Sequence, residues 1–281
     1  MSAAPAYTIV TPTFEHASSI ADHLDAVLAS ASLPFEWIFV DDASTDGTAE
    51  RIAAWVEAHP HPLVVSTRIE RNREPLFETA CDNIGFRLAR TDVIVELQAD
   101  IHVREPAFDA LMMRALDRAP KPSAISGRCG HTFAALKPAS IAERLLRRSP
   151  PSVGLCGRAI ETPEVVETLR GQIFRCETVN RGPWLVLKAD LVRHEYLDEE
   201  HFFLGNDDHD YHRRLFEAEG RRPLYVPMRI HSPLALGAAR RRRTGINREA
   251  YERLKATRRG SEAFHRFVAS ATTATAPERI A

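Results

Sequence analysis

The chain predicts an α/β fold built on a mixed, mostly parallel sheet flanked by helices, and three observations carry that prediction. Short apolar runs alternate with segments of helical periodicity from Tyr7 to about residue 118. The run Val93-Ile94-Val95-Glu96-Leu97 is nearly continuous, as in a central parallel strand covered on both faces. Aspartates stand at the ends of successive apolar runs, at Asp41-Asp42, Asp100 and Asp207-Asp208, the edge where such sheets bind ligands.

Taken in order, Tyr7-Thr8-Ile9-Val10 predicts a first strand broken by Thr11-Pro12-Thr13. Ile20, Leu24, Val27, Leu28 and Ala31 then recur at helical spacing until Pro34 resets the chain. Phe35 to Val40 predicts the second strand. Thr45 or Asp46 can cap the following helix, whose Ile52, Trp55 and Val56 face the sheet. Leu63-Val64-Val65 is a third strand, and residues 75–89 form a helix ahead of the strand at Val93. Between Pro120 and Arg181 the rhythm is lost, apart from one helix near residues 141–148. Trp184-Leu185-Val186-Leu187, a helix from about Asp207 to Glu219, and a strand over Pro223 to Pro227 restore it. Ala269 to Ala281, rich in Ala and Thr, predicts a frayed tail.

Composition excludes several classes. The chain has 281 residues, 44% hydrophobic and 27% charged, with net charge -1, which suits a globular core and gives nucleic acid no whole-surface attraction. No stretch approaches the roughly 20 apolar residues needed to span a bilayer, so membrane contact would be peripheral. Cys81, Cys129, Cys156 and Cys176 form no Cys-x-x-Cys pair and follow no secretory signal, so reduced thiols and a cytoplasmic location, at most peripheral at the inner membrane face, are expected. No glycine precedes Gly47, whereas phosphate-binding loops of dinucleotide and P-loop proteins need glycines in the first strand-to-helix turn.

Several motifs then follow one another in a recognisable order. Val10-Thr11-Pro12-Thr13-Phe14, Phe39 to Thr48, Asn83-Ile84-Gly85 and Leu97-Gln98-Ala99-Asp100 occupy the first half. Gly182-Pro183-Trp184, Leu197-Asp198-Glu199, Asp207-Asp208-His209-Asp210 with Arg214, Gly220, and Tyr225-Val226-Pro227 continue it. The series, from about Tyr7 to His231, resembles the inverting family 2 glycosyltransferases of the GT-A fold. That resemblance implies residues 1–118 as a nucleotide-sugar-binding half, 119–235 as the acceptor-binding and catalytic half of the same domain, and 236–281 as a basic loop, helix and flexible tail.

The resemblance also implies roles. Pro12, Phe14 and Asp42 would surround the nucleotide, with Asn83 and Gln98 in the same set, although Asp41 or Asp42 can equally cap the next helix. Phe14 stands where the family usually has tyrosine. Asp100 matches the second aspartate of the family's Asp-x-Asp motif and Gln98 replaces the first, so Asp100 with His231 is the metal pair implied for Mn²⁺ or Mg²⁺. Asp208 would be the general base beside Asp207, with helix capping as the plain alternative. Arg240 and Arg243, in the run Arg240 to Arg243, would close over the diphosphate, or else form a solvated turn or meet anionic lipid. His209 and His212 are read as solvated helix residues, and Arg214 as the i, i+4 partner of Asp210.

The activity so implied is metal-dependent transfer of a hexose, with inversion, from a nucleoside-diphosphate sugar, UDP by default. The acceptor is a hydroxyl of a glycan, a lipid-linked saccharide or a glycosylated small molecule. A non-catalytic nucleotide-sugar or glycan-binding protein is the alternative, because Gln98 leaves the metal motif incomplete. Nothing in the sequence speaks to oligomeric state.

Overall fold

The computed structural model describes residues 4–137, 163–232, 244–272 and 275–281. Strands β1 (Tyr7–Thr13), β2 (Phe35–Asp41) and β3 (Val64–Arg71) run parallel, and β4 (Val93–Glu96) lies parallel to β1 on its other side. Helices α1 (Ile20–Ser30), α2 (Thr48–Ala58) and α3 (Phe77–Leu88) connect them. Successive strand side chains point to opposite faces. Tyr7, Ile9, Phe35, Trp37 and Phe39 therefore pack with Ile20, Leu24, Val27 and Ile52 on one side. Val10, Ile38 and Val40 pack with Cys81 and Phe86 of α3 on the other. Every residue of β1 and β2 is buried, so both faces of these two strands are covered.

The N-cap of α2 is Gly47, with a φ of 87°, not the expected Thr45 or Asp46; from the position before it, Asp46 Oδ1 accepts Thr48 N at 3.1 Å and Thr48 Oγ1 at 2.5 Å. Against expectation, β1 continues through Pro12. The ladder to β4 has ended at Val10 while that to β2 persists to Thr13, so the missing N–H of Pro12 costs no bond on the β4 side. In α3, a Cβ at Gly85 would lie 2.2 Å from Val10 Cγ1. The helix can lie this close to β1 only with glycine there.

The second half joins the same sheet through β8 (Val179–Leu187), antiparallel to β4 with Trp184 opposite Glu96. Beyond it come β6 (Ile125–Cys129), β9 (Leu224–Tyr225), β7 (Phe174–Arg175) and β11 (Glu278–Arg279), completing the order β11-β7-β9-β6-β8-β4-β1-β2-β3. A separate ribbon pairs β5 (His102–Val103) with β10 (Ile230–His231). Helices α4 (Phe108–Arg118), α5 (Pro163–Leu169), α6 (Lys188–Arg193), α7 (Asp207–Glu219), α8 (Arg248–Thr257) and α9 (Glu262–Ser270) complete the described elements, with a 3-10 turn at Phe133–Leu136.

Three expectations are corrected. The stretch without rhythm contributes β6, an interior strand of the sheet; the helix expected near 141–148 lies outside the described residues. The end of the chain is not frayed, because Glu278 and Arg279 pair with β7, Ile280 N donates to Ile173 O, and the Ile280 side chain packs against the core. Cys81 and Cys176 are buried thiols outside any disulfide, but Cys129 is disulfide-bonded, contrary to uniformly reduced thiols. No helix among the described residues is long and apolar enough to cross a membrane.

Candidate functional site

A cleft of about 430 Å³ opens where the carboxyl ends of β1 and β4 face the N-terminus of α7. Pro12, near the end of β1, and Phe14, just beyond it, line one wall. Gln98 and Asp100 enter from the turn after β4, which is closed by Ile101 N donating to Gln98 O at 2.9 Å. Asp208 and His209 face them from the first turn of α7.

Beneath the cleft runs a buried ionic network. Gln98 Nε2 donates to Glu78 Oε1 at 2.5 Å. Glu78 meets Arg181 Nη2 at 3.1 Å, and Arg181, 3% exposed, also pairs with Asp82 and with Asp207 at 3.1 Å. Thr79 Oγ1 donates to Asp207 Oδ2 at 2.8 Å. A guanidinium presents a fixed fork of donors, so one arginine can serve several carboxylates at once.

The two acids at the start of α7 are driven apart. Burial raises Asp207; Arg181 opposes this, Asp208 and Glu78 add to the rise, and the carboxyl ends above the usual carboxylate range. Burial would raise Asp208 as well, but the charges of His209, Arg181 and His212 and the N–H of His209 outweigh it and hold the carboxyl at about 2. Such divergence separates a carboxylate that stays ionised from one with a structural task. Glu96, at the end of β4, is fully buried with neither oxygen hydrogen-bonded among the described residues; burial and then Glu78 push it well above the ordinary range.

The sequence-predicted residues divide accordingly. Pro12, Phe14, Gln98, Asp100 and Asp208 share the cleft. Asp42 lies behind its wall, fully buried, accepting from Leu76 N at 2.8 Å, Asn72 Nδ2 at 2.9 Å and Phe77 N at 3.0 Å. Asn83 is equally buried and ties α3 to the Leu197-Asp198-Glu199 segment, donating to Leu197 O and Glu199 Oε1 and accepting from Leu197 N. Asp207 is inside the network, not in the wall. His231 is exposed on β10 opposite His102, their rings 6.2 Å apart, and its neighbour Ser232 lines the cleft. Arg240 and Arg243 lie outside the described residues.

His209 and His212 are not solvated: they are 6% and 0% exposed. The acid-rich composition of α7 hid this, because its ionic partners, Arg181 above all, come from distant strands. Arg214 does pair with Asp210, Nε to Oδ2 at 2.9 Å, and also donates to the carbonyls of His194 and Tyr196. Glu78, Arg128, His131 and Arg181 line the cleft without having been singled out. For Arg181 a signal existed, since it directly precedes Gly182-Pro183-Trp184.

Among the described residues no group of three or more His, Cys, Asp or Glu side chains is arranged to hold a metal. One carboxylate at Asp100 and one imidazole at His231 suit a hard divalent cation only as part of a set completed by phosphate oxygens and water. The donor chemistry thus fits a cation that arrives with a diphosphate.

Comparisons with known proteins agree with this geometry. Residues 8–134 match the family model described as Glycosyl transferase family 2. The succinoglycan biosynthesis protein ExoO of Rhizobium meliloti (strain 1021) is 32% identical over 111 residues, 40% of this chain and 30% of that one. Mannosyltransferase PcManGT from Pyrobaculum calidifontis, solved in complex with GDP-Man and Mn²⁺, superposes with a TM-score of 0.56 at 20% identity, over 79% of this chain and 55% of the other. GalNAc-T7, solved with UDP, GalNAc and Mn²⁺, gives 0.55 at 14% identity, over 81% and 44%. The chain therefore spans less than two thirds of the length of each of these proteins. Residues 8–134, which carry Pro12, Phe14, Asp42 and Asp100, are thus the part that matches the glycosyl transferase family 2 model, within a chain that has the GT-A fold of the solved glycosyltransferases.

Proposed function

We propose that the chain is an inverting hexosyltransferase that moves a sugar from a nucleoside diphosphate to a hydroxyl of a glycan or lipid-linked saccharide, with Mn²⁺ or Mg²⁺ at the diphosphate. One observation carries the reading: Pro12, Phe14, Gln98 and Asp100, from two strand ends, share a single cleft with Asp208 on the facing helix. ExoO, named for succinoglycan biosynthesis, supports a role in polysaccharide synthesis and a glycan acceptor. PcManGT with GDP-Man and GalNAc-T7 with UDP support a nucleotide donor, and leave the base open between guanine and uracil.

In transfer, the sugar passes through a transition state of oxocarbenium character while charge builds on the leaving diphosphate. Asp100 and His231 would hold a divalent cation, which would supply charge neutralisation at the diphosphate. Pro12 and Phe14 hold the nucleotide base, with Asp42 bracing the wall behind them. Gln98, fixed by Glu78, presents its remaining polar atoms to ribose or diphosphate. Asp208 supplies the carboxylate that drives deprotonation of the acceptor, which attacks from the face opposite the leaving group. Asp207 keeps Arg181 in place.

Thermal melting against UDP, GDP, dTDP and CMP, each with and without Mn²⁺, tests the donor site. A ligand present at a hundred times its Kd stabilises the folded state by about 2.7 kcal/mol. A metal-dependent rise with one diphosphate is expected, and no rise with any nucleotide would sink the proposal. Gln98, an amide where the family's motif has an acid, favours a nucleotide-sugar-binding protein as the second reading. Asp208→Asn separates the two, because a transferase loses transfer and keeps nucleotide affinity.

A further inference from the structure

A second cavity, of about 250 Å³, lies behind the 3-10 turn, between the C-terminal half of α7, α9 and the stretch joining β7 to β8. Three rings form its body. Phe133 of the turn meets Phe267 of α9 edge to face at 4.8 Å, and Phe267 meets Phe216 of α7 at 6.2 Å. The Phe133 ring, 5% exposed, is anchored with Phe264 and Val268 in a small core of its own. Leu136, at the other end of the turn, lines the cleft described above, so one turn of chain separates the two cavities. An aromatic box ordinarily suits a cation, because ring faces are negative. Here that use is taken: the Arg222 guanidinium, from the segment before β9, lies over Phe216 with Cζ 4.9 Å from the ring centroid.

The hydrogen-bonding capacity of this cavity is one-sided. Glu177, the acid in its wall, accepts Phe133 N at 2.7 Å through Oε2 and Thr275 N at 3.1 Å through Oε1, so both oxygens hold the walls together. The half-buried Arg222 side chain makes no hydrogen bond or ion pair among the described residues, whereas Arg221 beside it is bound to Asp190 and Glu219. A guanidinium stacked on a ring is held flat, with its donors presented at the edge as a fork. We propose that this cavity is a binding site for an aryl anion, a planar apolar group lying among Phe133, Phe216 and Phe267 whose carboxylate or phosphate oxygens take the Arg222 fork. Its volume, below the roughly 300–1,000 Å³ of sites for drug-sized ligands, sets the size at a small ring system. The proposal does not depend on the transferase reading, since no residue lines both this cavity and the cleft.

The probes are 2-naphthoate and phenyl phosphate, with neutral 2-naphthamide as the control, titrated calorimetrically into the full chain and followed by amide shifts of the ¹⁵N-labelled protein. Saturable binding of an anionic probe is expected, with the largest shifts at Phe133–Leu136 and in α9. Arg222→Gln, in protein that keeps the wild-type melting midpoint, should weaken binding about tenfold or more, and Arg222→Lys should restore part of the loss, because the charge returns without the fork. Ser270→Trp, at the exposed end of α9, should fill the cavity and abolish binding while nucleotide-free melting stays near wild type, which separates a blocked site from an unfolded chain. The proposal is overturned by absence of binding, by equal affinity for 2-naphthamide, by wild-type affinity in Arg222→Gln, or by shifts centred on Phe14 and Asp100 in the cleft.

Discussion

Gln98 donates its side-chain amide to Glu78 Oε1 at 2.5 Å, and Glu78 also meets Arg181 at 3.1 Å, so the residue standing in place of a motif aspartate is wired to the arginine that holds Asp207. An amide can donate to Glu78 and a carboxylate cannot. Gln98→Asp therefore sets two anions against each other in a partly buried site, and a loss of about 1–3 kcal/mol is expected. Urea unfolding at pH 7.5 measures it, with an unchanged midpoint counting against the network.

Gly85→Ala tests the closeness of α3 to β1. The added methyl meets Val10 Cγ1 at 2.2 Å, against a fully buried strand that has no room to move. Overpacking of this kind costs about 1–3 kcal/mol, whereas alanine at an exposed helix position would stabilise. A melting midpoint at or above wild type would show that the helix shifts freely.

Asp42→Ala removes the acceptor for the N–H groups of Leu76 and Phe77 at the entry to α3. Phe77 adopts a φ of 67°, a strained value for a bulky residue, and the carboxylate helps hold it there. Loss of about 1–3 kcal/mol and faster amide exchange at Leu76 and Phe77 are expected. Native exchange rates there would leave Asp42 without this bracing role.

Stability should fall on acidification because of two buried histidines. Burial, ahead of nearby imidazoles, lowers His23 to about 3; burial also lowers His212 to about 3, although Asp208 pulls the other way. The unfolded chain takes up these protons near the ordinary imidazole value of 6.5, so below that pH it binds more protons than the native state. Stability is present above pH 6.5 and is lost towards pH 3, on the order of a few kcal/mol per residue. His23→Leu should flatten the decline in urea midpoint across that window, and an unaltered slope would be the contrary result.

Glu96 works in the opposite direction. Its folded carboxyl is raised, so the unfolded chain loses this proton first, and stability falls as pH rises above the ordinary glutamate value of 4.5. Glu96→Gln, an isostere of the protonated carboxyl, should raise the urea midpoint more at pH 8 than at pH 4.5. Equal effects at both pH values would mean that Glu96 is ionised in the native state.

Elements made by local periodicity were legible in the sequence: β1 to β4 and their helices, and α7 with its Asp210–Arg214 pair, rest on the alternation of apolar side chains over two and 3.6 residues. The motif order likewise located Pro12, Phe14, Gln98, Asp100 and Asp208, because strand ends in such a sheet converge on one edge. Other features depend on which distant strands meet. β6 has a glycine and an arginine in its short span, so no apolar run announces it, and β11 forms only because β7 offers an edge. The burial of Asp207, Glu96, His209 and His212 and the contrast between the two aspartates come from β4 and β8 lying side by side, which brings Arg181 beneath the cleft. Side-chain periodicity is a property of neighbours along the chain. Desolvation and charge pairing are properties of neighbours in space, and here only the tertiary fold decided those.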